Sequence, residues 1–246
     1  MDHALFALVS AVAAGMQSLF GFGYAVLLVP VAALLIEPET AVASAIVTSM
    51  VITIALYLEH QPRQSVREAG PLAVAGVVGV PLGLVILTQV SGDVLKLLIG
   101  FAVLASAAAG LVHGNVGRPR RGEVVPVMVG VGLLSGVLRG AVSMPGPPVL
   151  LYQHWRGGAP EAVRSAMFGF NGLLAIPAVI FAVVAGVVTE SALGFVAVAL
   201  PGLAVGGVSG ALLRGHLSDV VFVRLSFVVL SGSAVLGIAS AVTALS

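Results

Sequence analysis

The chain has 246 residues and no cysteine, which removes disulfides, thiol nucleophiles and thiolate metal sites from consideration and leaves the redox compartment unread. Charge is almost as scarce. Only 9% of residues are Asp, Glu, Lys or Arg, against about 25% in an ordinary soluble domain, and the hydrophobic share is 59%. No basic tract interleaved with aromatics occurs, so there is no nucleic-acid footprint. HExxH, clusters of His with carboxylates, and a nucleophile beside a general base are also missing, so the chain reads as neither an enzyme nor a metal or cofactor protein. The first Arg or Lys is Arg63, so the amino-terminal apolar run lacks the basic start of a secretory signal and reads as part of the fold.

What is present is a succession of apolar runs of about 20 residues, the length needed to cross a hydrocarbon core about 30 Å thick as helix. The runs do not alternate polar and apolar residues, as barrel strands would. An all-α, polytopic membrane protein follows. Residues 4–20 form a first segment that ends at Gly21-Phe22-Gly23; residues 24–36 form a short second one, stopped by Glu37-Pro38-Glu39. The pair is expected to be a broken helical hairpin, followed by three crossings at residues 40–58, 69–90 and 94–112, with Gly76, Gly79 and Gly83 allowing close helix approach.

Residues 114–122, with Arg118, Pro119, Arg120 and Arg121, read as a linker between a first repeat (1–113) and a second (123–246). Beyond it the pattern returns: Val26-Leu27-Leu28 is echoed by Val149-Leu150-Leu151, Pro38-Glu39 by Pro160-Glu161, Ser44-Ala45 by Ser165-Ala166, and Gly79 and Gly83 by Gly206 and Gly210. The second repeat is a broken hairpin over 124–155 and crossings at 162–188, 192–213 and 220–244. Arg and Lys then give the orientation: a cytoplasmic linker puts nine of the eleven basic residues inside, with Lys96 outside and Arg139 within the hairpin. Each repeat has a hairpin that returns to its face and three crossings, so the two form an inverted pair with both termini extracytoplasmic. Inverted repeats with broken helices characterise secondary transporters, whose substrates bind near the midplane where the breaks meet.

The chemistry concentrates in SGVLRGAVSMPGPPVLLY, from Ser135 to Tyr152. A lone arginine at the centre of a membrane helix costs roughly 2.5–3.5 kcal/mol on insertion scales. No Asp or Glu lies between Val124 and Gln153, so Arg139 needs backbone carbonyls or a bound anion as its acceptor. Pro145, Gly146 and Pro147 break the helix and can open a half-helix whose free N–H groups favour an anion, with Ser143 placed to cap it or to donate to a ligand. Gly21, Gly23 and Tyr24 make the matching break in the first hairpin, where Gln17 is the one amide, with a neighbouring helix the commoner partner for it than a ligand. Thr48-Ser49 and Asn171 fall at nearly equivalent repeat positions as neutral donors, with Ser49 and Asn171 one residue apart in the register, while Gln153, His154 and Trp155 mark the cytoplasmic end of the second hairpin.

The segments GFGYAVLLVP (Gly21 to Pro30) and GAVSMPGPPVLLY (Gly140 to Tyr152) resemble the duplicated signature of the sulfite exporter TauE/SafE family. Ala43-Ser44-Ala45-Ile46-Val47-Thr48-Ser49-Met50 is similar to that family's segment after the hairpin, and the likeness extends over the whole chain. Arg139 and the Met-Pro-Gly-Pro-Pro run replace the usual glycine run of the second signature. The resemblance implies a permease of a bacterial or archaeal inner membrane that exports sulfite, sulfoacetate or another small sulfonate.

The expected substrate site comprises Arg139, Ser143, Gly146, Gln17, Ser49, Asn171 and Tyr24, with Gly21, Gly23, Pro145 and Pro147 as the breaks. The expected partners are a small anion and membrane lipid; oligomeric state is open. Two other readings compete with alternating-access transport: a channel or facilitator with Arg139 as selectivity filter, and an assembly protein whose small-residue stripes and Arg139 only join helices.

Overall fold

In lipid every backbone N–H and C=O must be satisfied within the chain, and an uninterrupted apolar run does so as a helix. The computed structural model describes residues 2–60, 63–111, 122, 124–157 and 160–213, and these contain nine helices and no strand. They are α1 (Asp2–Phe20), α2 (Tyr24–Ala32), α3 (Pro38–His60), α4 (Arg63–Gln89), α5 (Gly92–Leu111), α6 (Val125–Val142), α7 (Gly146–Arg156), α8 (Pro160–Val184) and α9 (Glu190–Leu213). Five described helices, α3, α4, α6, α8 and α9, contain stretches long and apolar enough to cross a membrane. The linker apart from Gly122, and the last expected crossing at 220–244, lie outside the described residues.

Helix ends follow the punctuation. Pro38 and Pro160 occupy first helical positions, where a missing N–H costs nothing. The second arm of the first hairpin is shorter than the expected 24–36. α2 has 9 residues, about 14 Å of helix, and after Ala32 the chain tightens into turns in which Leu34 and Leu35 N–H reach back to the Val31 and Ala32 carbonyls. Pro38 disfavours helical backbone at Glu37 just ahead of it, which keeps these turns from running on into α3.

Two glycine-lined seams hold the bundle. On α4, a Cβ added at Gly79 or Gly83 would overlap the carbonyls of Leu133 or Val137 in α6, and one at Gly132, Gly136 or Gly140 would overlap the Leu72, Gly76 or Val80 carbonyls in return. α9 meets α1 in the same way, with Gly202 and Gly206 against the Ala7 and Ala11 carbonyls and Gly210 against Gly15. Only glycine permits such approach, and in lipid close packing of this kind is a main source of helix association. Contacts advance in the same direction along both helices of each seam, so α4 lies parallel to α6 and α1 to α9. The first arm of each hairpin is thereby fastened to the fourth helix of the other half, a reciprocal arrangement.

The opposite face of α4 shows what surrounds it. Val74, Val78, Leu82 and Val85, at helical spacing, are all more than half exposed. A stripe of this kind faces hydrocarbon rather than water, and the protein is a multi-pass membrane protein.

Candidate functional site at the hairpin tips

Both hairpins break for local reasons that the backbone records. α1 ends at Gly21 (φ 81°), and Gly23 (φ 111°) precedes the first residue of α2; both angles lie in the left-handed region that glycine enters without a Cβ penalty. At the second tip the left-handed residue is Ser143 (φ 61°), which closes α6 as its N–H and that of Met144 turn back on the Arg139 and Leu138 carbonyls. Ser143 is the one non-glycine residue with positive φ among those described. It therefore ends α6 and does not cap α7: the first residue ahead of α7 is Pro145, and no side chain bonds there. Its hydroxyl is buried and has no hydrogen-bond partner among the described residues.

The tips meet. A Cβ on Gly146 would touch the ring of Phe22 at 3.3 Å, and Asn171 of α8 donates through Nδ2 to the Gly21 carbonyl at 3.1 Å. Between them lies a small cavity, lined from the first hairpin by Gln17 and Phe22 through Val26, and from the second by Arg139 and Ser143 through Gly146, with Ser49 and Thr53 of α3 and Asn171 of α8 on its sides. All seven residues expected at the substrate site, Arg139, Ser143, Gly146, Gln17, Ser49, Asn171 and Tyr24, line this one cavity, as do the breaks Gly23 and Pro145. Gly21 and Pro147 are not on its wall.

Arg139 sits in α6 with 4% of its surface exposed. Its hydrogen bond among the described residues is a long one, from Nη2 to the Ile46 carbonyl at 3.4 Å, and Nε has none. That carbonyl also accepts the Ser49 hydroxyl at 3.1 Å, so it is shared. A buried guanidinium with one weak acceptor and no carboxylate is electrostatically expensive and is the strongest anion-attracting feature of the site.

The remaining donors divide unevenly. A helix leaves the N–H groups of its N-cap and first three residues without intrahelical acceptors. For α2 these are Gly23, Tyr24, Ala25 and Val26, all four on the cavity wall. For α7 they are Pro145, Gly146, Pro147 and Pro148, three of which have no N–H at all. The expectation that the second half-helix supplies the amide donors is thus corrected: Gly146 alone offers one there, and the donor-rich positive end is that of α2. Sequence reading also missed Thr53, which accepts the Gln17 amide N–H at 2.5 Å. Its position one turn after Ser49 on α3 was the available signal. Thr48, by contrast, turns to its own helix and bonds the Ser44 carbonyl at 2.7 Å. The Tyr24 hydroxyl pairs with Ser10 at 2.9 Å.

Gln17 and Arg139 stand 122 residues apart, as do Ser49 and Asn171, and all four reach the cavity. Two pairs with the same sequence spacing thus face one space, with the Arg139 charge set against the neutral Gln17 amide. Among the described residues no group of three His, Asp or Glu could hold a metal ion.

A helical bundle buried in lipid, with two broken hairpins meeting at a positively charged cavity, has the build of a membrane transporter for anions. A family model described as "Sulfite exporter TauE/SafE" matches residues 6–237, and the chain belongs to that family. The family is one of membrane transporters for sulfite-type anions, not of enzymes. No curated protein and no solved structure gives a significant match.

Proposed function

We propose that this protein is a secondary transporter that exports a small sulfur oxyanion, such as sulfite, sulfoacetate or another small sulfonate, through the cavity between the hairpin tips by alternating access. The observation that carries the reading is Arg139: buried, bonded to one distant carbonyl, without a partner at Nε among the described residues, and on the wall of a cavity lined with donors. The planar guanidinium fork matches two oxygens of a sulfonate or sulfite. The Gly23 to Val26 amides and the Ser143 hydroxyl supply directional hydrogen bonds to the same group, and Ser49 and Asn171 close the sides. With one cation and no acid, the site suits a single negative charge.

In this reading the two halves are inverted repeats in a bacterial or archaeal inner membrane, the 114–122 linker is cytoplasmic and both termini are extracytoplasmic. Export then needs no proton-carrying carboxylate. An inside-negative potential drives an anion outward by about 2.3 kcal/mol per charge per 100 mV.

The test is counterflow in proteoliposomes. Vesicles loaded with unlabelled sulfite are expected to accumulate labelled sulfite transiently, with saturation, and Arg139→Gln is expected to abolish it. Flux that grows linearly with concentration and shows no counterflow would refute alternating access, and Arg139→Gln flux equal to wild type would refute the site.

A further inference from the structure

Some of the buried polarity of the second hairpin lies outside the cavity wall. Ser135 and Gln153 are 0% and 1% exposed, and the Ser135 hydroxyl and both polar atoms of the Gln153 amide have no hydrogen-bond partner among the described residues. Buried polar groups are overwhelmingly partnered, by protein or by ordered water, so three such atoms on the two contacting arms of one hairpin are groups that a polar guest would satisfy. Residues tolerated only for packing would be apolar here.

Helical register ties both residues to the cavity. Ser135 precedes Arg139 by four positions and Gln153 follows Gly146 by seven, so each lies on the stripe of its helix that carries a cavity-lining residue. Counted from Met144 at the tip, Arg139 lies about 7 Å along its arm, and Ser135 and Gln153 each about 14 Å along theirs, at like depth on antiparallel helices. One turn further on, Arg156 is again buried, with its guanidinium 5.7 Å above the Tyr152 ring. Cavity, neutral donors and second cation therefore follow one another along the hairpin toward its open end. The first hairpin has no counterpart: 122 residues earlier stand Ala13 and Val31.

We propose that Ser135 and Gln153 form a second station for the transported anion, between the Arg139 cavity and the open end of the second hairpin. The proposal rests on the cavity being the anion site. A hydroxyl and an amide NH₂ replace part of the hydration shell of an oxyanion without holding it as firmly as a guanidinium, and the amide oxygen accepts from a hydrating water or from a protonated oxyanion. Neutral donors between two cations make a step that is easy to enter and easy to leave, as conduction through several sites requires.

Gln153→Leu and Ser135→Ala test this with sulfite as the probe, measuring both transport in proteoliposomes and sulfite-induced thermal stabilisation of the purified protein. Each variant is expected to slow transport about tenfold while the half-saturating sulfite concentration for stabilisation stays within about twofold of wild type. Because each substitution removes an unpartnered polar group, the melting temperature without ligand is expected to stay level or rise. Wild-type transport in both variants overturns the proposal. So does failure to fold or a clear loss of thermal stability in both, which would mean that the two groups hold helices together. Arg139→Gln measured in parallel separates the two readings. If it binds and transports as wild type, the cavity assignment fails; if it is inactive while both other variants are normal, only the second station is lost.

Discussion

Replacing Arg139 by Gln, which removes the charge but keeps a donor, is expected to act in opposite directions on the empty and the loaded protein. In the empty protein the guanidinium is 4% exposed and has one long hydrogen bond to set against its desolvation. Removing a poorly compensated buried ion is often neutral or stabilising, by about 1–4 kcal/mol. The loaded protein loses two charge-assisted hydrogen bonds at about 1.5–3 kcal/mol each, which weakens binding at least about a hundredfold. Sulfite at a hundred times its dissociation constant stabilises wild type by about 2.7 kcal/mol, and a variant a hundredfold weaker by only about 0.4 kcal/mol at that concentration. In a chain of this size these correspond to melting shifts of about 5–10 °C and about 1 °C. Thermal unfolding of the detergent-solubilised protein across a sulfite titration reads both effects. An unchanged ligand shift would remove Arg139 from the binding site, and a variant that melts well below wild type without ligand would make the arginine a structural staple.

The glycine seams predict a sharp positional contrast. Gly83→Ala and Gly206→Ala force a Cβ into the Val137 and Ala11 carbonyls and are expected to lose the monodisperse peak in size-exclusion chromatography, whereas Gly130→Ala and Gly194→Ala, with open space beside them, are expected to gain about 0.5–1 kcal/mol from helix propensity. Ser143→Gly relieves a left-handed backbone at φ 61° and is expected to raise the ligand-free melting temperature, by about 1–2 kcal/mol in stability, while weakening sulfite binding; Ser143→Ala should weaken binding without that gain. Reporter fusions at either terminus are expected to read extracytoplasmic and an insertion in the 114–122 linker cytoplasmic; the opposite pattern would overturn the orientation. Gln17→Leu strips Thr53 of its donor across α1 and α3 and is expected to lower thermal stability by about 1 kcal/mol, with a smaller effect on binding than Arg139→Gln.

Much of the bundle was legible because membrane helices announce themselves by length and hydropathy, and because Gly, Pro and charge mark their ends. The breaks at Gly21 to Gly23 and after Arg139 were readable from glycine and proline, and Gln17, Ser49, Asn171 and Arg139 stood out as polar residues within apolar runs before the structure brought them to one cavity. Donor direction was not readable in this way. That Ser143 closes α6 instead of capping α7 depends on where a left-handed residue falls, and a serine carries no strong signal for that conformation. Which half-helix donates was decidable in principle, since Pro145, Pro147 and Pro148 are visible in the sequence, but only once the start of α7 at Gly146 fixed which N–H groups lack an intrahelical acceptor. Thr53 and Ser135 stayed hidden because isolated hydroxyls in membrane helices commonly bond their own backbone, as Thr48 and Ser44 do here.

The two seams also bear on how such a protein can move. Because α1 is locked to α9 and α6 to α4 with backbone against backbone, a motion that pulls the first half of the sequence away from the second would have to tear both contacts at once. A relative motion within the bundle is therefore expected to keep α1 with α9 and α6 with α4, each pair joining one hairpin arm to a helix from the other half of the chain.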